Sequence, residues 1–336
     1  MRLSESLRKN IMETSVGRLL NKFKIRSRRN VLFFEDIFAN YIKECEKTGY
    51  GKEMAKIGQK WTNLVMQQTV PEIFKGVPIL FLNKIMKGVW INIGLLDDLY
   101  VIRENDVIYI ETKNESITKN IGKNKFLPGL YKGILNILFN SELEVVDILQ
   151  TKKYSKYVFR LKKGSFNAEC KKKSIYNKLN YLSGIKGFAL KDAFQKGVFQ
   201  LKENNRIYFR GKVVSPVENT LFHLMGNQKI LLEKVSNISY RYFNKIIKKD
   251  TTKERKLSLL KILLQTMGWG IIKIMVKSEN VIIIKITNLP YGLQIEKDNW
   301  NFIARVILGY LWLLDKNLKI NNIADTYKEL SITYSK

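Results

Sequence analysis

Reactive side chains are scarce in these 336 residues: there are two cysteines, one histidine and five prolines, and 30 acidic residues stand against 59 lysines and arginines. Each shortage removes a class of function. Cys45 and Cys170 lie far apart and in different candidate domains, so they supply neither a disulfide framework nor a thiolate-rich metal site, and no metal is expected. The single histidine, His223, sits among apolar neighbours in LFHLM and reads as a buried or half-buried helix residue rather than a general base. Asp97-Asp98 and Glu35-Asp36 are adjacent pairs whose side chains point in different directions, so they read as a helix end and a solvated face, not as an acid/base couple. With no converging acid, base and nucleophile, neither an enzyme nor a cofactor is expected.

Long apolar stretches are also missing. The apolar runs, such as Ile282 to Ile284 and Val306 to Leu314, fall far short of a bilayer span or are edged by charge at Arg305 and Asp315. Met1 to Asn10 mixes charged and polar residues without an apolar segment, so no secretory signal is visible and a cytoplasmic protein is expected. Hydrophobic residues still make up 45% and aromatics 11% of the chain, which is enough to build a core and excludes a disordered composition.

What is present in excess is positive charge, +29 at neutral pH, carried mostly by lysine. A field of that sign attracts phosphate backbones, anionic membranes or acidic proteins. A coding sequence rich in A and T accounts for lysine replacing arginine and for abundant asparagine, isoleucine and tyrosine. It accounts less well for the shortage of acids, so a polyanionic partner is expected.

The chain also repeats itself. Val101 to Asn114 and Met275 to Asn288 align without a gap, and at the same offset Gly94 falls on Gly268 and Phe126 on Trp300. A repeat of that size implies a duplicated domain, and 336 residues suit two domains better than one. The boundary is placed near Lys163, giving residues 1–163 as a first domain with an N-terminal helical extension and 164–336 as a second, diverged one.

Periodicity fills in the elements. Ser4 to Leu20, Val31 to Tyr41, Lys52 to Thr69 and Leu80 to Ile93 show helical spacing, the last ending at Gly94. Leu99 to Arg103 and Val107 to Thr112 alternate as a hairpin turning at Glu104-Asn105-Asp106. Phe126 to Phe139 is a helix opened by Pro128, with Gly129 and Gly133 marking close helix packing, and Leu143 to Leu149 with Tyr157 to Leu161 form a second hairpin. In the second copy, Arg206 to Val214 is a strand, Leu221 to Phe243 and Glu254 to Met267 are helices, and Ile271 to Val276 with Val281 to Thr287 form the hairpin. Trp300 to Leu314 is the last helix, and Leu318 to Ile323 with Leu330 to Tyr334 close the sheet. The class is α+β, two tandem copies of a helical layer on an antiparallel sheet.

Two stretches carry a family resemblance. Leu127-Pro128-Gly129-Leu130-Tyr131-Lys132-Gly133 with a strand ending Val158-Phe159-Arg160-Leu161, and Asn205 to Gly211 followed by Val213-Val214-Ser215-Pro216 and a helix, resemble the 4-vinyl reductase domain, related in fold to TRAPP-type vesicle-tethering subunits. The resemblance implies a binder of small hydrophobic or aromatic molecules. It gives no support to a metal or redox role, because the cysteines many such domains carry near the end of the sheet are absent. The second copy has Phe302 and Ile303 where the first has Pro128 and Gly129.

Three expectations follow. The first is a nucleic-acid-binding protein whose contacts are Lys22, Lys24, Arg26, Arg28, Arg29, Lys152, Lys153, Lys162, Lys163, Lys171, Lys172 and Lys173, with tyrosines interleaved among them. Lys245 with Lys248-Lys249 is a further basic run, and Gly184-x-x-Gly187 has the spacing of a nucleic-acid clamp but little else. The second is a sensor whose ligand pocket lies near Trp90, Phe126 and Tyr131. The third is an assembly scaffold of the TRAPP type. The two copies are expected to pack on each other as an intramolecular pseudo-dimer.

Overall fold

The computed structural model describes residues 30–69, 79–92, 94–162, 164, 166, 190–202, 206–292, 298–326 and 328–336. It is a mixed helix and strand protein with antiparallel sheets. The N-terminal half runs β1 (Asn30–Phe34), α1 (Glu35–Lys47), α2 (Gly51–Thr69), α3 (Ile79–Asn92), β2 (Asp98–Glu104), β3 (Val107–Lys113), α4 (Ser116–Ile121), α5 (Phe126–Phe139), β4 (Leu143–Gln150) and β5 (Tyr154–Leu161). The C-terminal half runs α6 (Leu190–Gln195), β6 (Gln200–Leu201), β7 (Ile207–Phe209), β8 (Lys212–Glu218), α7 (Thr220–Gln228), α8 (Leu232–Ile246), α9 (Lys253–Thr266), β9 (Ile271–Ser278), β10 (Val281–Thr287), α10 (Asn301–Leu311), β11 (Lys319–Asp325) and β12 (Glu329–Ser335). Among the described residues no helix is long and apolar enough to cross a membrane.

The two outer sheets repeat one order, β2-β3-β5-β4 in the first half and β9-β10-β12-β11 in the second. Each is a pair of hairpins with a helix between them, and one face of every inner strand is buried in strict alternation. That alternation is the period-2 signal of a strand covered on one side. Gly94 and Gly268 both adopt positive φ, 73° and 89°, just past the helices that precede the first hairpins. Glycine tolerates that left-handed conformation and ends the helix there.

A third sheet, β1-β8-β7-β6, ties the halves together. β1 pairs antiparallel with β8, Leu32 lying opposite Pro216. Periodicity placed Val31 to Tyr41 in one helix, but the chain makes a strand as far as Phe34 and only then turns helical. Burial is the reason. Val31 to Phe34 are all buried, and a short unbroken apolar run covered on both faces suits a central strand better than one stripe of a helix. Phe33 packs on Phe222, Trp269 and Phe302, whereas Phe34 points the other way into Phe209, Tyr242 and Phe243. All six partners belong to the C-terminal half.

More contacts cross the same joint. The Leu32 amide donates to the Met267 carbonyl at 2.8 Å, the Tyr41 hydroxyl to the Ile230 carbonyl at 2.6 Å, and the Trp61 indole to Glu218 at 3.0 Å. Arg206 reaches back to Asp97 and the Asn114 carbonyl at 3.3 and 3.1 Å. The buried residues of both halves form one apolar cluster.

Within each half, helices approach at glycines. A Cβ on Gly129 would strike the Ala55 carbonyl, and one on Gly58 would come 2.7 Å from the Phe126 carbonyl, so α2 and α5 touch backbone to backbone. α8 and α10 do the same at Gly309, against Ser236 and Tyr240.

Three further expectations need correction. Leu221 to Phe243 is not one helix: Lys229 and Leu231 take left-handed φ of 56° and 43°, which separates α7 from α8 and turns the Ile230 carbonyl toward Tyr41. Arg206 to Val214 is not one strand, since Arg210 and Gly211 at φ 48° and 79° make the two-residue turn between β7 and β8, as a type I′ hairpin requires. β5 starts at Tyr154 rather than Tyr157, because Thr151 exchanges hydrogen bonds with Tyr154 and closes a tight turn.

Candidate nucleic-acid interface

Of the twelve basic residues named as contacts, three lie among the described residues, and these are not gathered in one place. Lys152 and Lys153 are exposed in the turn before β5, and Lys162 is exposed just after it. Eight strand residues separate them, so the two groups stand about 30 Å apart at opposite ends of the strand. Lys22, Lys24, Arg26, Arg28, Arg29, Lys163, Lys171, Lys172 and Lys173 lie outside the described residues, as do Gly184 and Gly187.

The structure does gather another set. α8 buries Val235, Ile238, Ser239, Tyr242 and Phe243 on one side, which leaves Lys234, Arg241 and Lys245 exposed on the other. The β7–β8 turn brings Arg210 to the end of α8, where its guanidinium donates to the Ile246 carbonyl at 2.8 Å. A cation there satisfies an otherwise unpaired carbonyl and suits the negative end of the helix. Lys248 and Lys249 are exposed beyond it. Thr252 then caps α9 through the Arg255 amide, with Lys253 and Arg255 exposed in the first turn.

Two contacts pin this end to α10. The Tyr310 hydroxyl donates to the Lys256 carbonyl at 2.7 Å, and the Lys256 ammonium reaches the Leu313 carbonyl at 3.3 Å. Burial pushes the Tyr310 phenol above its ordinary range, opposed by the Arg210 charge, so Tyr310 serves as a fixed donor. Nearby, the Lys316 ammonium sits 4.7 Å from the centre of the Tyr240 ring, which meets Trp312 edge-on at 6.3 Å.

Arg241 to Lys256 thus holds seven basic and two acidic residues. None of the seven has a carboxylate within ion-pair distance among the described residues. Elsewhere in both halves some bases are matched, as in Lys87 with Asp98, Lys156 with Glu111, Lys285 with Glu329 and Lys336 with Asp315. The density of bases over sixteen residues was visible in the sequence. Their convergence with Arg210 and Lys316 was not.

The residues expected to line a ligand pocket stand in packed surroundings. Trp90 stacks on Tyr131 at 5.3 Å, Tyr131 tilts against Tyr157 at 4.8 Å, and Phe126 stacks on Trp61 at 6.5 Å. Beneath them the buried Glu115 carboxylate accepts from Tyr131, Tyr157 and Thr118 at 2.5, 2.7 and 2.8 Å. An apolar cavity lies where β1 meets the C-terminal half, lined by Phe33, Phe243, Leu260, Trp269, Ile303 and Val306 among others, and measures about 20 Å³. That is room for one water, and an apolar void of that size stays dry.

Other titratable groups are structural. His223 is buried, its Nδ1 accepting from the Asn299 amide at 3.1 Å and its Nε2 facing the Pro290 carbonyl at 3.1 Å, so it fastens the segment before α10 onto α7. Asp298 lies 3.4 Å from the same ring, and burial pushes its carboxyl above the usual range, against the pull of His223. Burial pushes the Cys45 thiol up to about 12, which leaves no reactive thiolate. Glu35 corrects the reading of Glu35-Asp36 as solvated: it is buried and accepts from Ser215 at 2.7 Å and Asn120 at 2.8 Å, while Asp36 pairs with Lys212. Among the described residues no cluster of three His, Cys, Asp or Glu side chains could hold a metal ion. No family model matches the chain, and neither does any curated protein or solved structure.

Proposed function

We propose that the protein is a non-enzymatic binding protein that holds nucleic acid on its basic surface, built on a tandem scaffold of the 4-vinyl reductase type. The observation that carries this reading is the unmatched positive charge where α8, α9 and the β7–β8 turn meet. Seven bases against two acids, none of the seven ion-paired among the described residues, make a surface that gains by releasing counterions from a phosphate backbone. Engagement of both nitrogens of His223 and of the Glu115 carboxylate favours binding over catalysis, because each polar group is held by its neighbours.

Fluorescence anisotropy with labelled oligonucleotides across a salt series tests the reading. Affinity is expected to fall steeply with salt, with a logarithmic slope of about −0.7 to −0.9 for each phosphate neutralised. No binding by the full chain at low salt would sink it.

A further inference from the structure

We propose, resting on that reading, that the outer face of α8 is the nucleic-acid contact and that its occupant is single-stranded. At about 100° per residue, the basic, amide and aromatic side chains of this face sort into three parallel strips, with the exposed Glu233, the single acid of the helix, beside the second and third. Lys234, Arg241 and Lys245 form the first strip, all exposed. Asn237 and Asn244 form the second, also exposed, and neither amide has a hydrogen-bond partner among the described residues. Tyr240 forms the third, half-buried, its ring braced edge-on by Trp312 and covered on one face by the Lys316 ammonium, which leaves the opposite face as the stacking surface proposed for a base.

Each strip matches one part of a nucleotide. Cations meet phosphates, free amides offer paired donors and acceptors to base edges, and a braced aromatic gives a base a surface on which to stack. A membrane surface or an acidic peptide would use the cations but has no need of the amides. A duplex buries its base faces and leaves the aromatic strip unused. A single strand uses all three, so the order of the strips selects it.

The test compares single-stranded and duplex oligonucleotides at low salt on the full chain, with thermal unfolding as a check that each variant folds. Arg241→Glu/Lys245→Glu is expected to weaken single-strand binding about 100-fold and to flatten its salt slope. Lys52→Glu/Lys56→Glu, an equal charge change at exposed positions of α2, should cost less than about 3-fold. Asn237→Ala/Asn244→Ala should weaken single-strand binding several-fold with the salt slope unchanged, which separates base contact from charge.

If the α8 and α2 charge variants lose affinity equally while the wild type binds, the inference fails and the broader reading stands. Equal affinity for duplex and single strand overturns the choice of occupant. Binding to anionic phospholipid vesicles with none to oligonucleotides overturns both.

Discussion

The two halves share a sheet order but differ in what they bury at one aligned position. In the N-terminal half a carboxylate is buried at the start of α4, with Glu115 held by Tyr131, Tyr157 and Thr118. At the aligned position of the C-terminal half stands Leu289, buried and apolar, while from Arg241 to Lys256 the surface carries seven bases against two acids. One topology therefore tolerates either a polar or an apolar centre, provided that each buried polar atom is satisfied. The C-terminal half buries polar groups elsewhere, Glu218 and His223, each held by its own neighbours.

The comparison breaks first at the joint. Phe33→Ala should cost about 3–5 kcal/mol, because a buried ring is lost among three aromatic neighbours, and urea unfolding should remain one transition. Two separated transitions would show that the halves fold independently despite their common core. Next in size, Glu115→Leu makes the first half resemble the second. It should cost about 3 kcal/mol, since three buried hydroxyls lose their acceptor; a neutral result in denaturant melts would mean that the buried carboxylate adds nothing.

Gly129→Ala and Gly309→Ala sharpen the likeness instead of breaking it. Each forces a methyl into the backbone of the facing helix, so both should lower stability by about 2 kcal/mol, and a large disparity would show that the two helix pairs are packed differently. Lys248→Glu/Lys249→Glu should reduce oligonucleotide affinity about 10-fold, or about 1.4 kcal/mol, whereas Lys152→Glu/Lys153→Glu at the first half's sheet should do less.

The smallest effect concerns pH. Burial raises the Glu35 carboxyl above its ordinary 4.5, against the pull of its Ser215 and Asn120 hydrogen bonds and the Arg206 charge. The folded state therefore holds that proton more tightly than the unfolded state does, and this contribution to stability declines as pH rises from 4.5 through the raised value. Glu35→Gln should flatten that decline and leave the variant more stable than wild type at neutral pH. A melt series showing the same pH slope in both proteins would contradict it.

Much of the local structure was legible. The alternation in Val107 to Lys113 and Val281 to Thr287, the Asn105 turn and the helix from Phe126 to Phe139 all follow from period and turn chemistry, and the structure has them where the pattern puts them. Gly129 and Gly133 read correctly as close packing, although α2 as the partner helix was not readable. Val31 to Phe34 misled because an apolar run fits either a helix or a strand until its neighbours are known. Glu35 misled because a carboxylate looks solvated unless Ser215, some 180 residues away, is seen to meet it.

The site divides in the same way. Sequence alone determined that the chain is strongly basic, internally repeated and poor in catalytic side chains, since composition and period need no coordinates. Only the tertiary structure decided which bases act together. Lys152 and Lys162 are near in sequence but are held at opposite ends of a rigid strand, whereas Arg210, distant from Lys245, is brought beside it by a hairpin turn and a helix end. Charge is a property of residues, but a potential strong enough to hold a polyanion depends on distance, and distance is set by the fold.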